Sequence, residues 1–389
     1  MSLKAVPYWR LSSFYFFYFA VVGAVVPFLG LYLQSLAFSP EQIGYVSAIM
    51  MLTRVIAPNI WGWLSDRTGR RLGIIRWGAF LACLCFSVLL WHQSFFWVVA
   101  VVVTYSFFWN AVLAQFEVIT LSYLEGLSHH YSQIRLWGSV GFIVVVVGLG
   151  YWFDWVSIGY LPWAVLLFLG LIWLSSLAIS EPPKSLLEIE SSKGFTEYLS
   201  SRVVVCFLLS AFFLQVSHGS YYTFYSVYLE SLSYSRQAIG ILWGLGVVAE
   251  VAIFLVMHKL VKQFGLRALL ILTLVVTVLR WWLIGCFPEQ LSVLLIAQLL
   301  HAFSFGVAHA VSIEFIRRFF LGQSQGQGQA LYSAVSFGAG GAVGALLSGW
   351  VWSYSPVLSF AISAFTAAVA LWLVWWGVRG VKVSRDASC

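Results

Sequence analysis

The chain is 389 residues long, 61% hydrophobic and only 9% charged. A soluble domain carries roughly a quarter of its residues as charge, and no single soluble core hides 20 Trp and 32 Phe, so the composition excludes a soluble protein. The formal net charge of +7 would suit nucleic acid or another acidic partner, but the placement of the basic residues gives it a different meaning.

A membrane span needs about 20 apolar residues. In chain order such runs fall at 11–33, 42–64, 73–91, 95–124, 136–156 and 159–179. After a polar stretch they resume at 202–229, 237–258, 267–287, 290–315, 328–352 and 356–378. The expected fold is therefore an all-α membrane protein of twelve transmembrane helices. The first run is too long for the apolar core of a signal peptide. Cys83, Cys85, Cys206, Cys286 and Cys389 form no disulfide or metal framework.

The connections alternate in charge. Seventeen Lys and Arg fall on one side of the spans and Arg236 alone on the other. By the positive-inside rule the basic side is cytoplasmic, and with it both termini and the 181–201 connection. The positive charge is thus a topological signal, and no nucleic acid is required to explain it.

That connection lies at the middle of the chain, and a shift of 196 residues superposes the sequence on itself. Tyr32, Leu33, Ser35 and Leu36 fall on Tyr228, Leu229, Ser231 and Leu232; Ser39, Ile43 and Gly44 fall on Ser235, Ile239 and Gly240. Leu64, Gly69 and Arg71 fall on Leu260, Gly265 and Arg267. One register held through polar loops marks a duplication. The expected organisation is a six-helix bundle over 1–180, a cytoplasmic loop at 181–201, and a second bundle over 202–389. Six spans per repeat keep the same topology, so the halves relate by a pseudo-two-fold axis along the membrane normal, with a cavity at midplane.

The loop after the second span carries Gly62, Asp66, Arg67, Gly69, Arg70 and Arg71 in the order G-x3-D-R-x-G-R-R. This resembles the cytoplasmic gating signature of the major facilitator superfamily, with all six defined positions matched. The glycines permit a tight turn, and Asp66 is placed to cap a helix or pair with an arginine. Tyr15 to Phe19 with Gly23, Ala24, Pro27 and Phe28 resemble the first helix of the lactose permease branch, the oligosaccharide–proton symporters. Arg135 to Ser139, Gly246 to Glu250, and the pair His301 and His309 are similar to the 3-phenylpropionate transporter group.

Ionisable residues inside spans are costly and usually paired or functional. Glu117 and Arg135 are 18 residues apart on consecutive spans. They either face a cavity and bind a polar solute at both ends, or form a structural ion pair. The same spacing in the lactose permease implies the first. Asn110, almost two turns before Glu117, either lines that cavity or bonds to a neighbouring helix. Gln215, His218, Tyr222 and Tyr225 share one helix face, which suits an aromatic-lined binding surface or plain helix packing. The eleventh-span glycines, Gly340 and Gly344 among them, read as close-packing residues.

Glu250 is the repeat partner of Arg54, so opposite charges stand at equivalent depths in the second and eighth spans. The permease resemblance matches Glu250 to an essential acid, and Arg280 and His301 to a positive residue and a histidine of its proton pathway; Glu250, His301 and His309 are expected to couple protons and Arg280 to bind substrate. It is imperfect: Ser304 stands where the permease has an acid. Arg54, Arg135 and Arg280 outnumber Glu117 and Glu250, which leans toward an anionic solute.

The expected function is secondary active transport of a small organic solute by alternating access. An aromatic carboxylate such as 3-phenylpropionate with proton symport leads; a sugar or nucleoside symporter or an uncoupled facilitator is the alternative. An enzyme is not expected, since no HExxH zinc motif occurs. Nor is a cofactor. The expected setting is a monomer in lipid, in a bacterial inner membrane.

Overall fold

A computed structural model describes residues 6–124, 130–181, 198, 200–320 and 324–379. Among the described residues twelve helices are long and apolar enough to span a membrane. The first six are α1 Tyr8–Ser35, α2 Pro40–Thr68, α3 Arg71–Leu90, α4 Phe95–Tyr123, α5 Tyr131–Trp155 and α6 Ile158–Leu177. The rest are α7 Arg202–Ser231, α8 Arg236–Phe254, α9 Met257–Cys286, α10 Leu291–Phe319, α11 Ser324–Trp352 and α12 Pro356–Gly377. Most of the 181–201 connection and the tail beyond 379 lie outside the described residues.

Local chemistry sets the helix ends. Ser39 and Gln42 form a reciprocal capping box with Pro40 in the first turn of α2. Gly69 ends α2 in the left-handed region at φ 64°, its N–H donating to Ser65 O. The duplication is written into the backbone: the described residues with positive φ are Ala37 and Ser233, and Gly69 and Gly265, each pair 196 apart. α9 is kinked at Gly265, whose φ of 75° and ψ of 162° are non-helical; the expected run from 267 follows that kink, and a short helical stretch from Met257 carrying Lys259 and Lys262 precedes it.

The chain divides into two compact units, Met1–Leu187 with Tyr222–Gly244, and Glu188–Tyr221 with Leu245–Cys389. In the first unit α1 lies across α5 at backbone contact. A Cβ on Gly141 would stand 2.2 Å from Phe16 O, and one on Gly23 2.8 Å from Phe142 O. In the second unit Gly340 and Gly344 let α11 touch the α7 backbone, where Cβ atoms would meet Phe212 O at 2.6 Å and Val216 O at 2.5 Å. With lipid outside, such close van der Waals packing is a main source of helix association.

Candidate functional site

Each unit holds a cluster of polar and charged side chains within its spans. In the first, α4 presents Glu117, and α5 presents Tyr131 and Arg135 one turn apart. The Tyr131 hydroxyl donates to Glu117 Oε1 at 3.3 Å. The Arg135 guanidinium lies 3.9 Å from the Phe19 ring centre and 5.6 Å from that of Tyr15. Gly138, one turn after Arg135, makes room for that stack: a Cβ there would be 2.7 Å from both Arg135 Nη1 and the Phe19 ring. Among the described residues no ion pair joins Glu117 to Arg135. The two charges sit near one another, lined by aromatic rings, without cancelling by direct contact.

Asn110 Nδ2 donates to Thr53 Oγ1 at 2.8 Å, tying α4 to α2. Tyr222 is half-buried and stacks on Trp243 with ring centres 6.3 Å apart. In the gating loop Asp66 pairs with Arg71, whose other Nη donates to Gln115 Oε1 at 2.8 Å. Arg67 lies over Trp63, 5.4 Å from the ring centre, and Arg70 precedes the first residue of α3.

The second unit centres on Glu250 of α8 and His301 of α10, with His301 Nε2 2.6 Å from Glu250 Oε1. His301 Nδ1 is buried without an acceptor. A proton there would be orphaned, so the ring carries its hydrogen on Nε2 and donates it to the carboxylate. Residues 302–307 of α10 wind as a π-helix, a distortion frequent at functional sites. Arg280 is wholly buried: Nε donates to Ala297 O at 2.8 Å and Nη1 to Ser304 Oγ at 3.1 Å. Its guanidinium also lies 4.2 Å from the Tyr221 ring centre and 4.6 Å from that of Trp281. His218 is fully buried, with Nδ1 2.8 Å from Leu214 O and its ring edge-on to Trp281. His309 is separated from His301 by the Phe305 ring, which stacks on both at 5.6 and 6.1 Å.

The structure thus brings Glu250 to His301, holds Glu117 near Arg135 but out of contact, and seals Arg280 and His218 into packing. Sequence reading passed over Gln298, which accepts from the Tyr221 hydroxyl at 2.9 Å. A signal was present: Gln298, His301 and Ser304 recur at every third residue in an apolar run. Tyr131, one turn before Arg135, was likewise readable from spacing.

Twelve apolar helices with charged side chains held inside them define a membrane transporter of the major facilitator superfamily, a class of secondary transporters rather than enzymes. The chain belongs to the MFS_1 like family, whose model matches residues 8–362. It is 29% identical over 372 residues to a protein of Escherichia coli (strain K12) named as a probable 3-phenylpropionic acid transporter, covering 92% of this chain and 95% of that one. It is 25% identical to a maltose permease of Geobacillus stearothermophilus over 93% of each chain. Its fold matches the crystal structure of a mutant of the nucleoside transporter NupG with a TM-score of 0.83, at 16% identity, over 95% of this chain and 98% of that one.

Proposed function

We propose that this secondary transporter carries a small aromatic carboxylate such as 3-phenylpropionate, with proton symport, by alternating access between the two sides of a bacterial inner membrane. The observation that carries the reading is the separation of Glu117 from Arg135. A direct ion pair would satisfy both charges internally. Instead Arg135 makes no hydrogen bond or ion pair among the described residues and rests on Phe19. An Arg held on an aromatic face gives a solute site an aromatic wall of positive potential, and Glu117 with Tyr131 offers polar contacts nearby. The relative named as a probable 3-phenylpropionic acid transporter, matched over nearly its whole length, supports that solute class.

In this reading the halves 1–180 and 202–389 move against each other, both termini stay cytoplasmic, and the protein acts as a monomer. Glu250 and His301 take up and release the coupling proton, with His309 as the next titratable group along α10. Tyr222 and Asn110 border the solute path. Arg280 and His218 act on the solute through the neighbours they fix rather than by contact.

Uptake into proteoliposomes under an imposed pH gradient tests this, with 3-phenylpropionate, maltose and uridine offered in parallel. Accumulation of the acid, collapsed by a protonophore, is the expected result. Gradient-driven uptake of maltose or uridine alone would move the assignment to a sugar or nucleoside symporter. Equilibration of the acid without accumulation would make the protein an uncoupled facilitator.

A further inference from the structure

We propose that Arg54 of α2 binds the carboxylate of the transported solute and sets the preference for acids, an inference that rests on the reading of the protein as a carrier of organic anions. Arg54 stands fourteen residues from each end of α2, about 21 Å at the helical rise. That distance is far beyond the reach of a snorkelling side chain. The side chain is half-buried, yet among the described residues it makes no hydrogen bond and no ion pair. A guanidinium at mid-span without a counter-ion is a costly arrangement unless a ligand completes it.

One group beside Arg54, the Trp109 indole, shares this lack of an acceptor. Tyr18, Trp109 and Tyr105 form a column of stacked rings, with centres 4.9 and 6.1 Å apart. The Arg54 guanidinium lies within electrostatic reach of the hydroxyls of the two outer rings. Trp109, the middle ring, is 3% exposed, and its indole N–H is buried without an acceptor. Beside Arg54, Thr53 is pinned to α4 by Ser106 Oγ at 3.0 Å and Asn110 Nδ2 at 2.8 Å. The turn carrying Arg54 is therefore fixed against the aromatic column. A carboxylate brings two acceptor oxygens to this donor-rich place, in the planar geometry that a guanidinium fork matches.

Charge balance separates Arg54 from Arg135. Arg135 has Glu117 in its neighbourhood, and Tyr15 and Tyr131 interact electrostatically with both. Among these three charges, Arg54 and Arg135 against Glu117, one cation is in excess. The excess falls on Arg54. An anionic solute neutralises it, whereas a neutral one leaves it bare.

The test compares wild type, Arg54→Lys and Arg54→Gln in proteoliposomes, with 3-phenylpropionate and its uncharged amide as paired solutes. Size-exclusion profiles in detergent first establish that each variant is folded. Wild type is expected to prefer the acid. Arg54→Gln should raise the KM for the acid by about 30-fold and bring acid and amide to near parity, while Arg54→Lys recovers most of the preference. If Arg54→Gln keeps the wild-type KM and the preference for acid, Arg54 is not the anchor and the carrier reading stands. If wild type itself takes up the amide as well as the acid, or neither, the carrier reading fails and the anchor falls with it.

Discussion

His301 Nε2 stands 2.6 Å from Glu250 Oε1, and Gly246 of α8 leaves room for the imidazole. A Cβ on Gly246 would be 3.1 Å from His301 Cδ2. A carboxylate and an imidazole in contact, both largely buried, form a unit that holds a proton between two basic atoms. Glu250 is the repeat counterpart of Arg54, so the duplication has placed an acid in one half where the other half carries a cation.

Glu250→Gln should therefore lose proton-driven accumulation while retaining solute exchange, which moves no net proton. Both activities are to be measured on the same vesicles. Accumulation that survives with unchanged pH dependence would move the coupling proton to Glu117 or His309, or remove it altogether.

Glu117→Gln and Arg135→Ala should each reduce uptake by about 10- to 100-fold, the worth of one or two charge-assisted hydrogen bonds, with membrane insertion intact. Because no direct ion pair joins the two residues, the double variant should be worse than either single one. A double variant no worse than the singles would show that the pair acts only on itself. Uptake kinetics with immunoblotted membrane levels decide the matter.

Much of the fold was legible in the sequence, because twelve hydropathy runs depend on composition alone. Gly69 and Gly265 were readable as repeat partners, and both proved to carry positive φ. The site was legible as residue types and much less as geometry. Glu117 and Arg135 stand out as charges in apolar runs, but the Tyr131 hydroxyl on Glu117 depends on how α4 and α5 are rotated. Arg280 looked like a solute ligand. Its burial under Tyr221, Trp281 and Ser304 is a tertiary property, set by side chains that individually read as ordinary packing.

Topology gives a prediction independent of substrate. In a cysteine-free background, Lys259→Cys and Glu289→Cys mark two exposed positions at opposite ends of α9. An impermeant maleimide added to intact cells should label position 289 and leave 259 untouched until the membrane is opened. The reverse pattern would invert the orientation drawn from the basic loops, and labelling of both from outside would contradict a spanning α9.

Asp154, at the end of α5, holds the start of α8 in the first unit. Its two carboxylate oxygens accept from the backbone N–H groups of Arg236 and Gln237 at 2.7 and 3.2 Å. Those N–H groups open a helix and have no partner within it, so an acid from another helix satisfies both them and the helix dipole. Arg236 completes the clamp: Nη1 donates to Phe153 O at 3.0 Å and Nε pairs with Glu230 at 2.6 Å. Beneath it Gly150 and Gly240 bring α5 and α8 to backbone contact, where a Cβ on Gly240 would lie 2.5 Å from Val146 O. A transporter that opens on this side must release α8 from α5, and Asp154 is the group that resists. Asp154→Ala removes two charge-assisted hydrogen bonds, each worth about 1.5–3 kcal/mol, and should shift the balance toward the released state by at least about tenfold. A cysteine at Val147, which faces Gly244, reports the release through its alkylation rate. That rate should rise in Asp154→Ala and stay near the wild-type level in Asp154→Glu, whose carboxylate still reaches the helix start. An unchanged rate in Asp154→Ala would mean that the glycine contact alone holds α8 in place.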